Sequence, residues 1–206
     1  GDDAVRQVAS QPWDPSVQSL VAFPQVLDLL GKDPAWVQRM GDAFLAQPDA
    51  VMDSVQRLRR QAQAAGNLKS NEQQKVSTQP AAAPAAGATT TVVEPATQTI
   101  VIEPANPQVV YVPSYNSTSV YGPWPYPSYP PYYYPPSPYY YPGGAFMAGL
   151  AWGTGIAITA SLWGDFNWGH GDIDIDVDRY NNINSNRQIN RSENTWRHNS
   201  ANRGGV

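Results

Sequence analysis

The chain has 206 residues, a net charge of −4, 20 prolines, 16 glycines and no cysteine. Those numbers exclude disulfides, thiol catalysis and thiolate metal sites, and they give no electrostatic footprint for nucleic acid or an anionic membrane surface. With so much proline and glycine only part of the chain can pack, so the core must be local.

Residues 1–68 read as a helical domain. Asp14-Pro15 and Asp33-Pro34 each place a capping carboxylate before a proline at the first helical position, where the missing N–H costs nothing. Beyond Pro34, Trp36, Val37, Met40, Phe44 and Leu45 recur at helical spacing, and beyond Pro48, Val51, Met52, Val55 and Leu58 do the same. Gly66 is the expected C-cap of the second helix. Arg57, Arg59 and Arg60 are read as solvated charges that complement its dipole, with a binding patch as the alternative.

Residues 69–90, with "QPAAAPAAGATT", have the small, uncharged, proline-broken composition of a linker. Residues 91–115 change period. In "QTIVIEPANPQVVYVP" two β-branched runs, 98–103 and 108–112, flank a Pro-Ala-Asn-Pro segment, which predicts a β-hairpin with "TTTVVE" as a candidate third strand. So few strands are marginal alone and must pack on the helices or on another chain.

Eleven of the twelve tyrosines lie between Tyr111 and Tyr141, interleaved with prolines. Proline favours polyproline II, rising about 3.1 Å per residue, so residues 116–144 read as an extended spacer or a low-complexity linker. Its candidate interaction residues are Tyr126, Tyr129, Tyr132, Tyr133, Tyr134, Tyr139, Tyr140 and Tyr141, whose rings can stack on one another, on a partner, on glycan faces or at a lipid headgroup interface.

Residues 145–164 open with "AFMAGLAWGTGIAITASLW", an uncharged stretch long enough, at 1.5 Å per residue, to cross a hydrocarbon core of about 30 Å as a helix. Ala145, Gly149, Gly153 and Ala157 recur at steps of four, the pattern that lets helices approach closely in lipid. In water each such glycine would destabilise a helix by about 1 kcal/mol relative to alanine. Gly149, Trp152, Gly153, Gly155 and Trp163 are therefore candidates for membrane contact or self-packing, as a helix, as a hairpin or buried in an assembly.

The tail, 165–206, alternates aspartate with aliphatic residues and then turns rich in Asn and Arg. On a strand Asp172, Asp174, Asp176 and Asp178 share one face, which makes them weak candidates for a hard cation. The pattern departs from a calcium loop: Val177 stands where glycine is required and Ile183 where the closing glutamate belongs. A solvated, edge-protecting acidic face is the favoured reading. His170 and His198 lack a scaffold for a triad, and no phosphate-binding glycine loop occurs. No catalytic or cofactor-binding residue is assigned, and no cofactor or enzymatic activity is expected.

The phrases "ASQPWDPSVQSLVAFPQVL", "MGDAFLAQPDAVMDSVQRLRRQAQAAGNL", "IVIEPANPQVVYVPSYN" with "VYGPWPYP", and "LWGDFNWG" to "RYNNIN" resemble, in order and over nearly the whole chain, the bacterial DUF3300 family. The resemblance implies a Gram-negative cell-envelope location and, ahead of Gly1, an export signal and a further helical segment, so a processed or truncated chain is expected. It supplies no catalytic residues.

Together these readings predict an α+β chain: a small helical N-terminal domain and a short β-hairpin, then a Tyr/Pro-rich extended tract, a Gly-rich apolar segment and a largely irregular polar tail. The expected role is a noncatalytic structural or interaction component of the envelope, anchored by the apolar segment, with itself or other envelope proteins as partners and possible membrane contact. The alternatives are a surface polymer joined through strand edges and tyrosine packing, and a cell-wall polysaccharide binder.

Overall fold

Asp33 and Pro34 do locally what their chemistry dictates. In the computed structural model, which describes residues 7, 10–14, 17–18, 20–80, 98–106, 111–135, 150–157, 164–167, 172–175, 178, 190 and 195–203, Asp33 Oδ1 accepts the Trp36 N–H at 2.8 Å and opens a helix at Pro34. Three helices follow one another: α1 (Pro24–Gly31), α2 (Pro34–Ala46) and α3 (Pro48–Ala64), each with proline in its first turn. The Asp14 carbonyl accepts from the Val17 and Gln18 N–H groups at 3.0 and 3.1 Å, a helical turn where one is expected to begin.

The end of α3 is a Schellman motif. Gly66, at φ 79°, donates to the Gln63 carbonyl at 3.0 Å, and Asn67 donates to the Ala62 carbonyl at 2.9 Å. A residue in left-handed conformation satisfies the last helical carbonyls this way, and glycine adopts it most cheaply.

The fold class is α+β, and the strand partners differ from the expected hairpin. Strand β1 (Gln74–Gln79) pairs antiparallel with β2 (Thr99–Pro104), Val76 opposite Ile102 and Thr78 opposite Ile100. Strand β3 (Tyr111–Tyr115) pairs instead with β4 (Leu150–Ala157), and β5 (Gly164–Asn167) with β6 (Asp172–Ile175). The runs 98–103 and 108–112 thus contribute to separate sheets. β1 lies inside the segment read as linker because its stability resides in backbone pairing: of its six side chains Gln74 alone is buried and Val76 is half-buried. Such a strand carries no hydrophobic alternation. The segment "TTTVVE" lies outside the described residues.

Helix α3 meets the β1–β2 ribbon on one face. Met52, Gln56 and Ala62 are the buried positions of the helix, and Ile100 of β2 is 1% exposed. Phe23 and Val120 complete the buried apolar set among the described residues. Helix α2 has no fully buried residue; Phe44 is half-buried against the ring of Trp196, 6.2 Å away at 65°.

Among the described residues no helix is long and apolar enough to cross a membrane. Leu150–Ala157, at the centre of the expected helical span, is the strand β4. A step of four is also twice the strand period, and in 145–163 most small residues occupy odd positions while most large ones, Leu150, Trp152 and Ile156 among them, occupy even ones. The residues Gly153 to Ile156 stand opposite the single residue Val112. Glycine is common where a strand bulges in this way.

Candidate functional site

Glutamine joins helix to sheet. Gln56 Oε1 accepts the Ile100 N–H at 2.8 Å while Gln56 Nε2 donates to the Ile100 carbonyl at 3.1 Å, so one side-chain amide reproduces both bonds of a missing strand. Arg59 Nη1 donates to the same carbonyl at 2.8 Å. This corrects the reading of Arg59 as a solvated dipole partner, and the last turn of α3 holds no basic residue. On the other edge of the ribbon Ser70 and Asn71 double back: Ser70 Oγ accepts the Val76 N–H at 2.9 Å, and Asn71 Oδ1 accepts the Gln74 N–H at 2.9 Å.

The segment 116–135 is built on this unit. The Asn116 carbonyl accepts from Ser119 and Val120 at 3.1 and 2.9 Å, and its side-chain oxygen accepts the Thr118 N–H at 3.0 Å, which turns the chain immediately after β3. Gly122, at φ 69°, makes the next reversal beside the C-cap of α3; a Cβ built on it would lie 3.1 Å from the Ala65 methyl. Asn67 Nδ2 donates to the Val120 carbonyl at 2.9 Å and so ties the loop to the end of α3. At the far end Tyr134 OH donates to Asp33 Oδ2 at 3.2 Å, and Lys32 Nζ donates to the Pro135 carbonyl at 3.0 Å. Asp33 therefore caps α2 with one oxygen and holds the loop with the other.

The described part of the Tyr/Pro tract is thus a loop fastened at both ends, not an extended spacer. Its proline content sets local φ, but the Asn116 and Gly122 turns and the ring packing decide its path. Tyr115 and Tyr121 meet at 6.2 Å and 81°, Tyr121 and Trp124 at 5.8 Å and 45°, Trp124 and Tyr126 at 5.9 Å and 78°. These tilted and edge-on arrangements are the ones aromatic quadrupoles favour. Trp124 Nε1 donates to the Tyr129 carbonyl at 2.8 Å, Tyr129 donates its N–H to Tyr126 at 2.9 Å, and the Ser117 hydroxyl donates to the Tyr132 carbonyl.

The loop sorts the candidate tyrosines. Tyr126, Tyr129 and Tyr132 are 48%, 79% and 70% exposed, while Tyr133 and Tyr134 are half-buried. Tyr139, Tyr140 and Tyr141 lie outside the described residues, as do Gly149, Trp163 and Asp176. Trp152, Gly153 and Gly155 fall in β4. Asp172 and Asp174 lie on β6, opposite Asn167 and Asp165 of β5, and Asp178 is exposed beyond that strand. Like charges set directly opposite destabilise a ribbon. Among the described residues no three His, Cys, Asp or Glu side chains form a group able to hold a metal.

Sequence reasoning missed Gln56, Asn67, Lys32 and Asn116, the residues that place the loop. Gln56 had a signal: it stands one turn beyond Met52 on the same stripe. For Asn67 and Lys32 the partners are main-chain carbonyls 53 and 103 positions away, which no local pattern announces.

No solved structure matches the chain. A curated relative, an uncharacterized protein YacH of Escherichia coli strain K12, is 46% identical over 251 aligned residues that cover all of this chain and 40% of the relative. The chain therefore spans less than half the length of the relative it matches. The profile of a family described as "Protein of unknown function (DUF3300)" matches residues 1–198. With nearly its full length matched, the chain belongs to the DUF3300 family.

Proposed function

We propose that the chain is a noncatalytic structural and interaction component of the bacterial cell envelope, and that its 116–135 loop presents Tyr126, Tyr129 and Tyr132 to other envelope proteins or to further copies. The carrying observation is exposure on a fastened support: three rings face solvent from a loop held to Asn67 at one end and to Lys32 and Asp33 at the other. A loop whose backbone is held in place loses little freedom on binding, and aromatic residues supply large contact area for few rotatable bonds. The Escherichia coli relative supports the Gram-negative setting. In this reading the apolar segment acts through the pairing of β4 with β3, and no membrane-crossing helix is invoked.

The test is retention of the purified full chain on envelope fractions. The variant carrying Tyr126→Ser, Tyr129→Ser and Tyr132→Ser is expected to be retained at least roughly tenfold less, a loss of about 1.4 kcal/mol. Equal retention of variant and parent overturns the proposal. Retention on purified wall polysaccharide alone would move the partner from protein to glycan.

A surface polymer is the second reading, supported by the β3–β4 and β5–β6 ribbons, neither of which has a third strand among the described residues. Unpaired edges invite pairing between chains. Sedimentation in lipid-free buffer decides it: a chain that stays monomeric at high concentration sinks the polymer.

A further inference from the structure

The chain has no cysteine with which to join copies covalently; the reactive side chain it concentrates is the phenol. The loop divides its phenols in two. Tyr121 is enclosed between Tyr115 and Trp124 with its hydroxyl 3.4 Å from that of Tyr115, and Tyr134 commits its hydroxyl to Asp33. Tyr126, Tyr129 and Tyr132 stand in solvent. Ring contacts of 5.8 to 6.2 Å run from Tyr115, itself 39% exposed, through the enclosed Tyr121 and Trp124 to Tyr126, and Trp124 also hydrogen-bonds to the main chain of Tyr129.

We propose that Tyr126, Tyr129 and Tyr132 form an oxidative coupling site at which two copies of the chain become joined by a dityrosine bond, the Tyr115–Tyr121–Trp124 ladder passing oxidising equivalents to it. This rests on the reading above, in which the same rings face a second copy. The co-reactant is hydrogen peroxide used by a haem peroxidase, a one-electron oxidant. Each of two tyrosines, one per copy, loses an electron and its phenolic proton. The two radicals form one carbon–carbon bond between ring positions ortho to oxygen, and the hydrogens at those carbons move to the oxygens to restore both rings. The two electrons and two protons released reduce one peroxide to two waters.

Two physical conditions select the exposed row. A tyrosine traps an electron vacancy as a neutral radical only where its proton can leave, and water receives it at Tyr126, Tyr129 and Tyr132. Tyr121 is enclosed, and burial followed by the neighbouring Tyr115 pushes its hydroxyl upward from the ordinary value. A vacancy arriving on Tyr121 or Trp124 is therefore passed on to a neighbour whose proton can leave, Tyr126 on the loop side or Tyr115 at the other end, and Tyr126 leads on to the more exposed Tyr129 and Tyr132. Coupling also needs two ring edges to meet, which an exposed ring permits and an enclosed one prevents.

The full chain, treated with a haem peroxidase and hydrogen peroxide, is expected to give covalent dimers with dityrosine fluorescence, and peptide mapping is expected to place the cross-links on Tyr126, Tyr129 and Tyr132. The variant with Tyr126→Phe, Tyr129→Phe and Tyr132→Phe keeps the rings and loses most of the dimer. Trp124→Phe, with folding checked by circular dichroism, lowers the yield while the exposed row is intact; an unchanged yield there removes the conducting role. Dimer formation by the triple Phe variant at the parental level, or cross-links falling chiefly on Tyr121, Tyr134 or Tyr139–Tyr141, overturns the site. The two substitution sets keep the two ideas apart. Loss of envelope retention in the Ser variant alone, with parental dimer yield in the Phe variant, leaves docking standing and coupling refuted.

Discussion

Gln18, Gln56 and Gln74 are buried, and each spends its amide on main chain. Gln18 Nε2 donates to the carbonyls of Gln11 and Trp13 at 2.8 and 3.3 Å, Gln74 Nε2 to that of Lys69 at 2.9 Å, and Gln56 makes its two bonds to Ile100. Where few apolar side chains are buried, these amides hold irregular backbone that packing alone would not. Gln56→Leu keeps the volume but strands the Ile100 N–H in a buried site. It is expected to lower stability by about 2 kcal/mol, the cost of a buried polar group left unsatisfied. Urea unfolding with an unchanged slope checks this, and a loss below the scatter of the midpoint would show that solvent reaches the Ile100 N–H, Arg59 continuing to satisfy only the carbonyl. Read as a residue type, glutamine in a helix is unremarkable; only its place one turn beyond Met52 marks it as inward-facing.

At the scale of elements, glycine at two reversals gives a graded comparison. A Cβ at Gly66 meets nothing within 4 Å, so Gly66→Ala meets only the left-handed backbone, about 1–2 kcal/mol. At Gly122 the same conformational cost is joined by a Cβ 3.1 Å from the methyl of Ala65, which has no rotamer by which to withdraw. Gly122→Ala is expected to destabilise more than Gly66→Ala in thermal unfolding; the reverse order would mean that the loop yields more readily than the helix end.

Helices α2 and α3 were legible because their signals are local: Asp33 with Pro34, Pro48 and Gly66 act within a few positions, whereas α1 opens at Phe23 with no side-chain cap and was not singled out. The strands were half legible. Ile100, Val101 and Ile102 announced β2, but its partner β1 is polar and far along the chain, and nothing within 98–112 shows that the two runs separate. In 145–163 a spacing of four fits both a helical face and alternate strand positions, so the spacing alone does not separate a helix from the strand that Leu150–Ala157 forms. The tyrosine row was visible as composition, whereas its division into enclosed and exposed rings depends on Asn67, Lys32 and Asp33.

Over the whole molecule, the fastened loop links stability to alkaline pH. Burial and then Tyr115 raise the Tyr121 hydroxyl above its ordinary 10.0, and loss of hydration and then the hydrogen bond to Asp33 raise that of Tyr134. Both shifts favour the protonated phenol in the folded chain. Their contribution is thus fully present below the unfolded value and is lost as pH rises through the folded values. The urea midpoint is expected to hold from neutral pH up to the ordinary tyrosine value and to fall beyond it, and Tyr121→Phe is expected to flatten that fall. An equally steep fall in Tyr121→Phe would assign it to other groups.

The Asn67–Val120 and Lys32–Pro135 hydrogen bonds also impose a sequence in time. Each closes a stretch of 53 or 103 positions, and each uses a donor that stands at a helix end: Asn67 just past the cap of α3, and Lys32 beside the cap of α2. Long closures cost chain entropy before any contact rewards them. The donors are in place only once the helices have formed. Among the described elements the tyrosine loop is therefore expected to close after the helices, and until they stand its rings are not yet sorted into an enclosed set and a presented one.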